Sequence, residues 1–193
     1  MTNNYLQLVN QHFPVRDKER PCLLEQAPFT DKNLLLDSVV AKKLKALVEA
    51  VGLQDKVIVT DGFRTKEMQQ QIWDETIQEK GELFTRKYVA KPGCSEHELG
   101  LAVDMGLAEV ANDYICPSFS EGPVVERFLK EMPEYGFILR YPEGKEAVTG
   151  ISYEPWHFRY VGTPHSQIIT QQDWVLEEYI AFLMDTRGKL NEG

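Results

Sequence analysis

The 193-residue chain contains four histidines, and two of them stand in company that can do chemistry. His97 lies in the run Ser95-Glu96-His97-Glu98-Leu99-Gly100-Leu101-Ala102-Val103-Asp104, and His157 closes the run Glu154-Pro155-Trp156-His157. Two neutral imidazoles and one carboxylate, from His97, Asp104 and His157, make a typical catalytic zinc set with a fourth position left for water. Closed structural zinc sites favour thiolates instead. Glu154 then stands beside the metal rather than on it, where a general base for water belongs. A HExxH zincin is excluded, because Leu101 occupies the position where the second histidine is required. His12, in a polar stretch, and His165, in a Thr-Pro-His-Ser turn, read as surface residues.

These spacings constrain the backbone. His97 and Asp104 are separated by an odd number of residues, so a flat strand would aim them at opposite faces. They converge only if the chain bends between them, and Gly100 is the residue that permits a bend. Ala102, on the face of Asp104, leaves room for a metal. The same parity separates Glu154 from His157, with Pro155 to supply the bend.

The elements that must position these residues follow from periodicity. Asp37 or Ser38 caps a helix running to about Val51, with Val40, Leu44, Leu47, Val48 and Val51 on one face and Gly52 as its stop. Lys56 to Thr60 reads as a short buried strand. Thr65 caps a helix through Gln69 and Trp73 to Lys80, and Gly81 ends it. Leu99 to Leu107 alternates as a half-buried strand, with Leu99, Leu101, Val103, Met105 and Leu107 on one face. A helix is expected after Pro123, then strands at 137–141, 149–153 and 156–161, and a last helix from near Asp173. Strands interleaved with helices through short connections indicate an α+β domain, a central antiparallel sheet flanked by helices.

Composition narrows the class of function. Hydrophobic residues make up 42% and charged residues 26%, an ordinary globular balance. Thirty acidic against 21 basic residues give a net charge of -9, which repels phosphate backbones and anionic lipid, so neither nucleic acid nor membrane is expected as a partner. No apolar run reaches the length of a signal peptide or a membrane span. Cys22, Cys94 and Cys116 are odd in number and lack framework spacing, which fits a reducing, cytoplasmic compartment.

The motifs above resemble a known family. SEHELGLAVD is similar to the Ser-x-His-x-x-Gly-x-Ala-x-Asp signature of the zinc D,D-peptidases, the VanY-like D-Ala-D-Ala peptidases, which share a metal-site architecture with lysostaphin and the hedgehog signalling domain. EPWH is similar to the second signature, Glu-x-x-His. Asp61-Gly62-Phe63-Arg64-Thr65, with Gln69 following, resembles the Gly-Tyr-Arg-Ser/Thr segment. The blocks occur in family order, over about Leu24 to Tyr179. The stretches Pro92–His97, Gly136–Pro142 and Gly150–Gly162 resemble the branch that combines D,D-dipeptidase and D,D-carboxypeptidase activity in vancomycin-resistant bacteria.

The resemblance implies one zinc D,D-peptidase domain over residues 1–193, with 1–23 as an N-terminal extension and a motif-bearing core at about 24–180. It implies one Zn2+ per chain on His97, Asp104 and His157, with Glu154 as catalytic base and Arg64 stabilising the oxyanion. The substrates implied are D-Ala-D-Ala and cell-wall precursors ending in it. Ser95 and Gln69 are implied substrate contacts, and Tyr153 and Trp156 are expected to wall the pocket. Exported members tend to have Ser where this chain has Asp61. An anionic Asp61 either pairs with the ammonium of a free dipeptide or only caps the turn at Gly62. Alternative readings are a cell-wall D,D- or L,D-carboxypeptidase or endopeptidase of the same family, a catalytically silent hedgehog-like domain, and a non-catalytic zinc module built on Cys94, His97, Cys116 and His157. Oligomeric state is left open.

Overall fold

The computed structural model describes residues 5–16, 19, 21 and 23–191, with side chains described as far as Thr186. Cys22 and several positions of the expected extension lie outside these residues. A short antiparallel hairpin, β1 (Leu24–Gln26) with β2 (Leu35–Asp37), leads directly into α1 (Ser38–Ala50). Asp37 ends the strand and caps the helix, its Oδ1 accepting from the Val39 N–H at 2.9 Å, a bond worth about 1 kcal/mol. There follow β3 (Val57–Asp61), α2 (Lys66–Lys80), α3 (Glu82–Tyr88), β4 (Ala102–Leu107), α4 (Pro123–Glu131), β5 (Phe137–Tyr141), α5 (Glu146–Thr149), β6 (Glu154–Tyr160), α6 (His165–Gln171) and α7 (Leu176–Asn191).

The main sheet has four strands in the order β3-β4-β6-β5, each pair antiparallel. The architecture is α+β, as the interleaved pattern requires. Alternation along the strands divides the sheet into two unlike faces. Val57, Val59, Val103, Met105, Phe137 and Phe158 join Val40, Leu44, Leu47 and Val48 of α1 and Val125 and Phe128 of α4 in the main core. Burying each such side chain contributes about 1.5–3 kcal/mol. The opposite face carries Asp104 and His157. Near β5 it is closed by a second cluster, Ile138, Val161, Ile169, Leu176 and Tyr179.

Residues of the expected N-terminal extension are part of this packing. Val9 is buried in the core, Tyr5 stacks edge-on against Tyr160, and Arg159 donates to the carbonyls of Tyr5 and Gln7 at 3.0 and 2.8 Å.

Several elements differ from expectation. Residues 149–153 form no strand: α5 ends at Thr149, Gly150 takes φ +76°, and the Thr149 hydroxyl bonds the carbonyls of Lys145 and Ile151. The strand expected from Leu99 begins at Ala102, and both of its faces are buried because the second one floors a cleft. The last helix begins at Leu176 rather than near Asp173, which sits at φ 52° and does not enter it. The hairpin β1–β2 and helices α3 and α6 carry no pattern long enough to be read from period alone.

Candidate functional site

Backbone irregularities solve the parity problem. Glu96–Leu99 forms a tight 3-10 turn closed by Gly100 at φ +67°, a left-handed conformation that costs glycine little. That bend brings His97 to the face of Asp104. Two sheet irregularities complete the arrangement. Between Val59 and Asp61, β3 holds one extra residue opposite β4, so Asp61 pairs with Asp104. The register of β6 shifts against β5 between Leu139 and Tyr141, where Pro155 to His157 lie, and Glu154 pairs with Tyr141. Asp104 and His157 pair in undisturbed register. Asp61, Asp104 and His157 thus lie in a row across three strands.

The metal-type donors converge. His97, Asp104 and His157 each offer an atom, all within 4.8 Å of one another, and all three residues are buried. Asp104 Oδ1 lies 3.5 Å from His97 Nε2 and 2.9 Å from His157 Nδ1. Neither contact is a hydrogen bond, and both Asp104 Oδ1 and His97 Nε2 are without one. Buried polar atoms aimed at each other without hydrogen bonds are costly unless a cation sits among them. Two imidazole nitrogens and a carboxylate oxygen suit Zn2+. The other nitrogen of His97, Nδ1, meets the Gly62 carbonyl at 2.6 Å, which fixes the tautomer that leaves Nε2 as a ligand. The Arg64 backbone N–H donates to the His97 carbonyl at 3.2 Å, locking the β3–α2 turn to the 3-10 turn.

The electrostatics are strongly perturbed. Burial opposes ionisation of Asp104, yet His97 and His157 hold its carboxyl well below the usual carboxylate range. Despite its own burial, His157 is pushed up to about 9, mainly by the charge of Asp104. Glu154 moves the other way. Burial pushes its carboxyl up to about 8, against the pull of His157, while Asp104 adds to the rise. Its Oε2 stands 3.8 Å from His157 Nδ1.

A cleft opens over this group, and Asp61, Arg64, Gln69, Ser95, His97, Asp104, Glu154, Trp156 and His157 all border it. The Asp61 carboxylate divides its contacts: Oδ1 accepts from the Gly62 N–H at 2.7 Å, and Oδ2 lies 3.4 Å from Arg64 Nε. Arg64 is held charged by Asp61 and Asp104 although burial opposes it, and its Nε lacks a hydrogen bond. Gln69 is almost fully buried and accepts from Arg64 Nη1 at 3.0 Å while donating to the Ala90 carbonyl at 2.8 Å. Its amide therefore orients Arg64. Ser95 makes no side-chain cap to the 3-10 turn it precedes, which leaves its hydroxyl for the cleft.

Tyr153 is the expected wall residue that the cleft does not include. It precedes the irregular start of β6 and is partly exposed, with Glu143 as its charged neighbour. Tyr88, Tyr114, Ile115, Tyr141 and Ile151 supply walls that the motifs did not indicate, most of them from connections between elements. Among the described residues, Cys94 and Cys116 are free and stand outside the donor cluster, which removes the thiolate module. Glu96 was also missed. It is wholly buried, with Oε1 2.7 Å from both Arg140 Nε and Arg159 Nη1. A glutamate beside a histidine carries no mark in the sequence that it turns inward.

An antiparallel sheet presenting a His-Asp-His cluster beside a desolvated carboxylate defines a metallopeptidase-type centre, and the chain belongs to the family of VanY, D-alanyl-D-alanine carboxypeptidase, whose model matches residues 33–163. Within it, the chain is 48% identical over 184 residues to the bifunctional D-Ala-D-Ala dipeptidase and D-Ala-D-Ala carboxypeptidase VanXYC of Enterococcus gallinarum, covering 95% of this chain and 97% of that one. The structure of the vancomycin resistance D,D-dipeptidase VanXYg in complex with a D-Ala-D-Ala phosphinate analog superposes with a TM-score of 0.87 at 42% identity, over 93% of this chain and 71% of that one. A mutant of the vancomycin resistance D,D-pentapeptidase VanY from the VanB-type resistance cassette, solved in complex with Zn(II), matches with a TM-score of 0.76 at 36% identity, over 91% and 98% of the two chains. Among the described residues no helix is long and apolar enough to cross a membrane.

Proposed function

We propose that this chain is a zinc peptidase that hydrolyses D-Ala-D-Ala and removes the terminal D-Ala from peptidoglycan precursors, an activity that serves glycopeptide resistance. The observation that carries the reading is the convergence of unsatisfied, buried His97 Nε2 and Asp104 Oδ1 with His157 Nδ1, beside the desolvated Glu154. One Zn2+ per chain is proposed, on His97, Asp104 and His157. When bound, it supplies Lewis acidity, bringing the pKa of a bound water to about 7 and polarising the scissile carbonyl.

Glu154 takes the proton of the attacking water and hands it to the leaving amine; a carboxyl raised toward neutrality suits both transfers. Arg64, whose Nε–H makes no hydrogen bond and lies 3.4 Å from Asp61 Oδ2, is placed to meet the carbonyl oxygen as it becomes anionic. Gln69 keeps the guanidinium aimed. Asp61 caps the turn through Oδ1, and its Oδ2, which also faces Arg64 Nε at 3.4 Å, receives the ammonium of a free dipeptide. Ser95 takes the terminal carboxylate, and Trp156 walls the pocket. The proposed domain spans residues 1–193, a view supported by the packing of Val9 and of the Tyr5 and Gln7 carbonyls. The proposed place of action is the cytoplasm, supported by the unpaired Cys94 and Cys116.

The test is D-Ala release from D-Ala-D-Ala and from a precursor ending in D-Ala-D-Ala, with and without chelator. Release from both, abolished by chelation and restored by zinc, is expected. No release from either, with zinc tightly bound, overturns the reading.

A further inference from the structure

Among the described residues, Glu96 is a buried charge that the proposed chemistry leaves unused. Its side chain has no exposure, yet only one of its oxygens is engaged. Oε1 accepts from Arg140 Nε and lies against Arg159 Nη1, each at 2.7 Å. Oε2 has no hydrogen bond and faces His157 Nε2 at 3.7 Å, and that nitrogen is equally without a partner. Two buried groups, one anionic and one able to donate, point at each other across a gap slightly too long for a bond.

The arginines explain why the carboxylate cannot turn away. Arg140 is itself gripped by Glu177 of α7 through two bonds of 2.9 and 2.7 Å, and Arg159 by the carbonyls of Tyr5 and Gln7. Each guanidinium therefore ties Glu96 to a segment near one end of the chain. Both arginines are fully buried, which makes the arrangement stiff and costly to leave half-satisfied.

We propose that Glu96 is the positioning residue of His157: its Oε2 accepts the Nε2–H, so that the imidazole presents Nδ1 to the metal. This rests on the proposed zinc site. His97 has its orientation set by a neutral carbonyl, whereas His157 has it set by an anion, which also makes the imidazole a stronger ligand. A small rotation of the ring that shortened the 3.7 Å separation would turn the contact into a hydrogen bond.

The replacement Glu96→Gln tests the idea sharply. The arginine donors will keep the amide oxygen on their side, leaving the NH2 group to face His157 Nε2. A donor there favours the tautomer with the proton on Nδ1, the one that cannot bind metal through that atom. Zinc affinity, measured by competition with a chromophoric chelator, should fall about 10–100-fold, with the circular dichroism spectrum unchanged. Long-range proton–nitrogen NMR of the zinc-loaded wild-type protein provides a second reading that does not depend on the variant folding. It should show His157 protonated on Nε2 and metallated on Nδ1, with the reverse pattern for His97. A folded Glu96→Gln protein with wild-type zinc affinity, or His157 bound through Nε2, overturns the inference and leaves the peptidase reading standing. Failure of the wild-type protein to bind zinc overturns both.

Discussion

Replacing Glu154 with Gln should sharply lower turnover and, in the metal-free protein, raise stability. The Glu154 carboxyl keeps its proton in the folded chain up to about pH 8, against an ordinary value of 4.5. Burial is the main cause. Between those values the folded state binds more protons than the unfolded one, so stability falls as pH rises. From pH 4.5 to pH 7 the loss attributable to this one group is at most about 3 kcal/mol. Gln has the same shape and cannot ionise, so it escapes the loss. Urea unfolding of both metal-free proteins should show the variant more stable at about pH 7 by up to about 3 kcal/mol. The gap should shrink as the pH approaches 4.5 and vanish below it. Removing a general base lowers turnover by about 10²–10⁴, so D-Ala release should fall by that factor while zinc remains bound. A stability gap that does not change with pH refutes the account of Glu154 as a desolvated carboxyl. Turnover within tenfold of wild type refutes its role as base.

Other perturbations test the surroundings of the centre. Arg64→Lys keeps the charge but cannot serve both Gln69 and a developing oxyanion, so kcat should drop by about 10²–10³ with zinc affinity unchanged. Asp61→Ser keeps a hydroxyl for the Gly62 N–H but loses the anion; the ratio of dipeptidase to carboxypeptidase activity should fall about tenfold, the worth of one charge-assisted bond. An unchanged ratio would leave Asp61 as a turn cap alone. Gly106→Ala would drive a Cβ into the Asn112 side-chain amide. Because Asn112 also accepts from Ser118 and donates to Leu107 and Val110, it cannot swing aside, and denaturant unfolding should show a loss of about 1–3 kcal/mol.

How much of this was legible in the sequence depends on the range of the signal. The α1 face, the caps Asp37 and Thr65, and the alternation around Val103 are local patterns, and they predict their elements well. The donor set is legible from residue type together with the family signatures it resembles, and the bend that its odd spacing requires is supplied at Gly100. The bend between Glu154 and His157 was also foreseen, but it takes the form of a register shift against β5 that Pro155 alone does not specify. Residues 149–153 look like a strand by composition; the positive φ of Gly150 and the Thr149 side-chain bonds override that preference. Glu96 and Tyr141 were invisible, since their roles come from arginines and walls far away in the chain.

The two kinds of strand pairing at the centre have a consequence for how such a protein changes over time. Asp104 and His157 face each other where the β4–β6 ladder is regular, so shifting either one re-registers those two strands. Asp61 and Glu154 sit at the edges of irregularities, where one strand already carries surplus residues. Substitutions beside Asp61 can be absorbed at the surplus residue of β3. Substrate preference can therefore drift by mutation around Thr60 while the pairing of Asp104 with His157 is inherited intact.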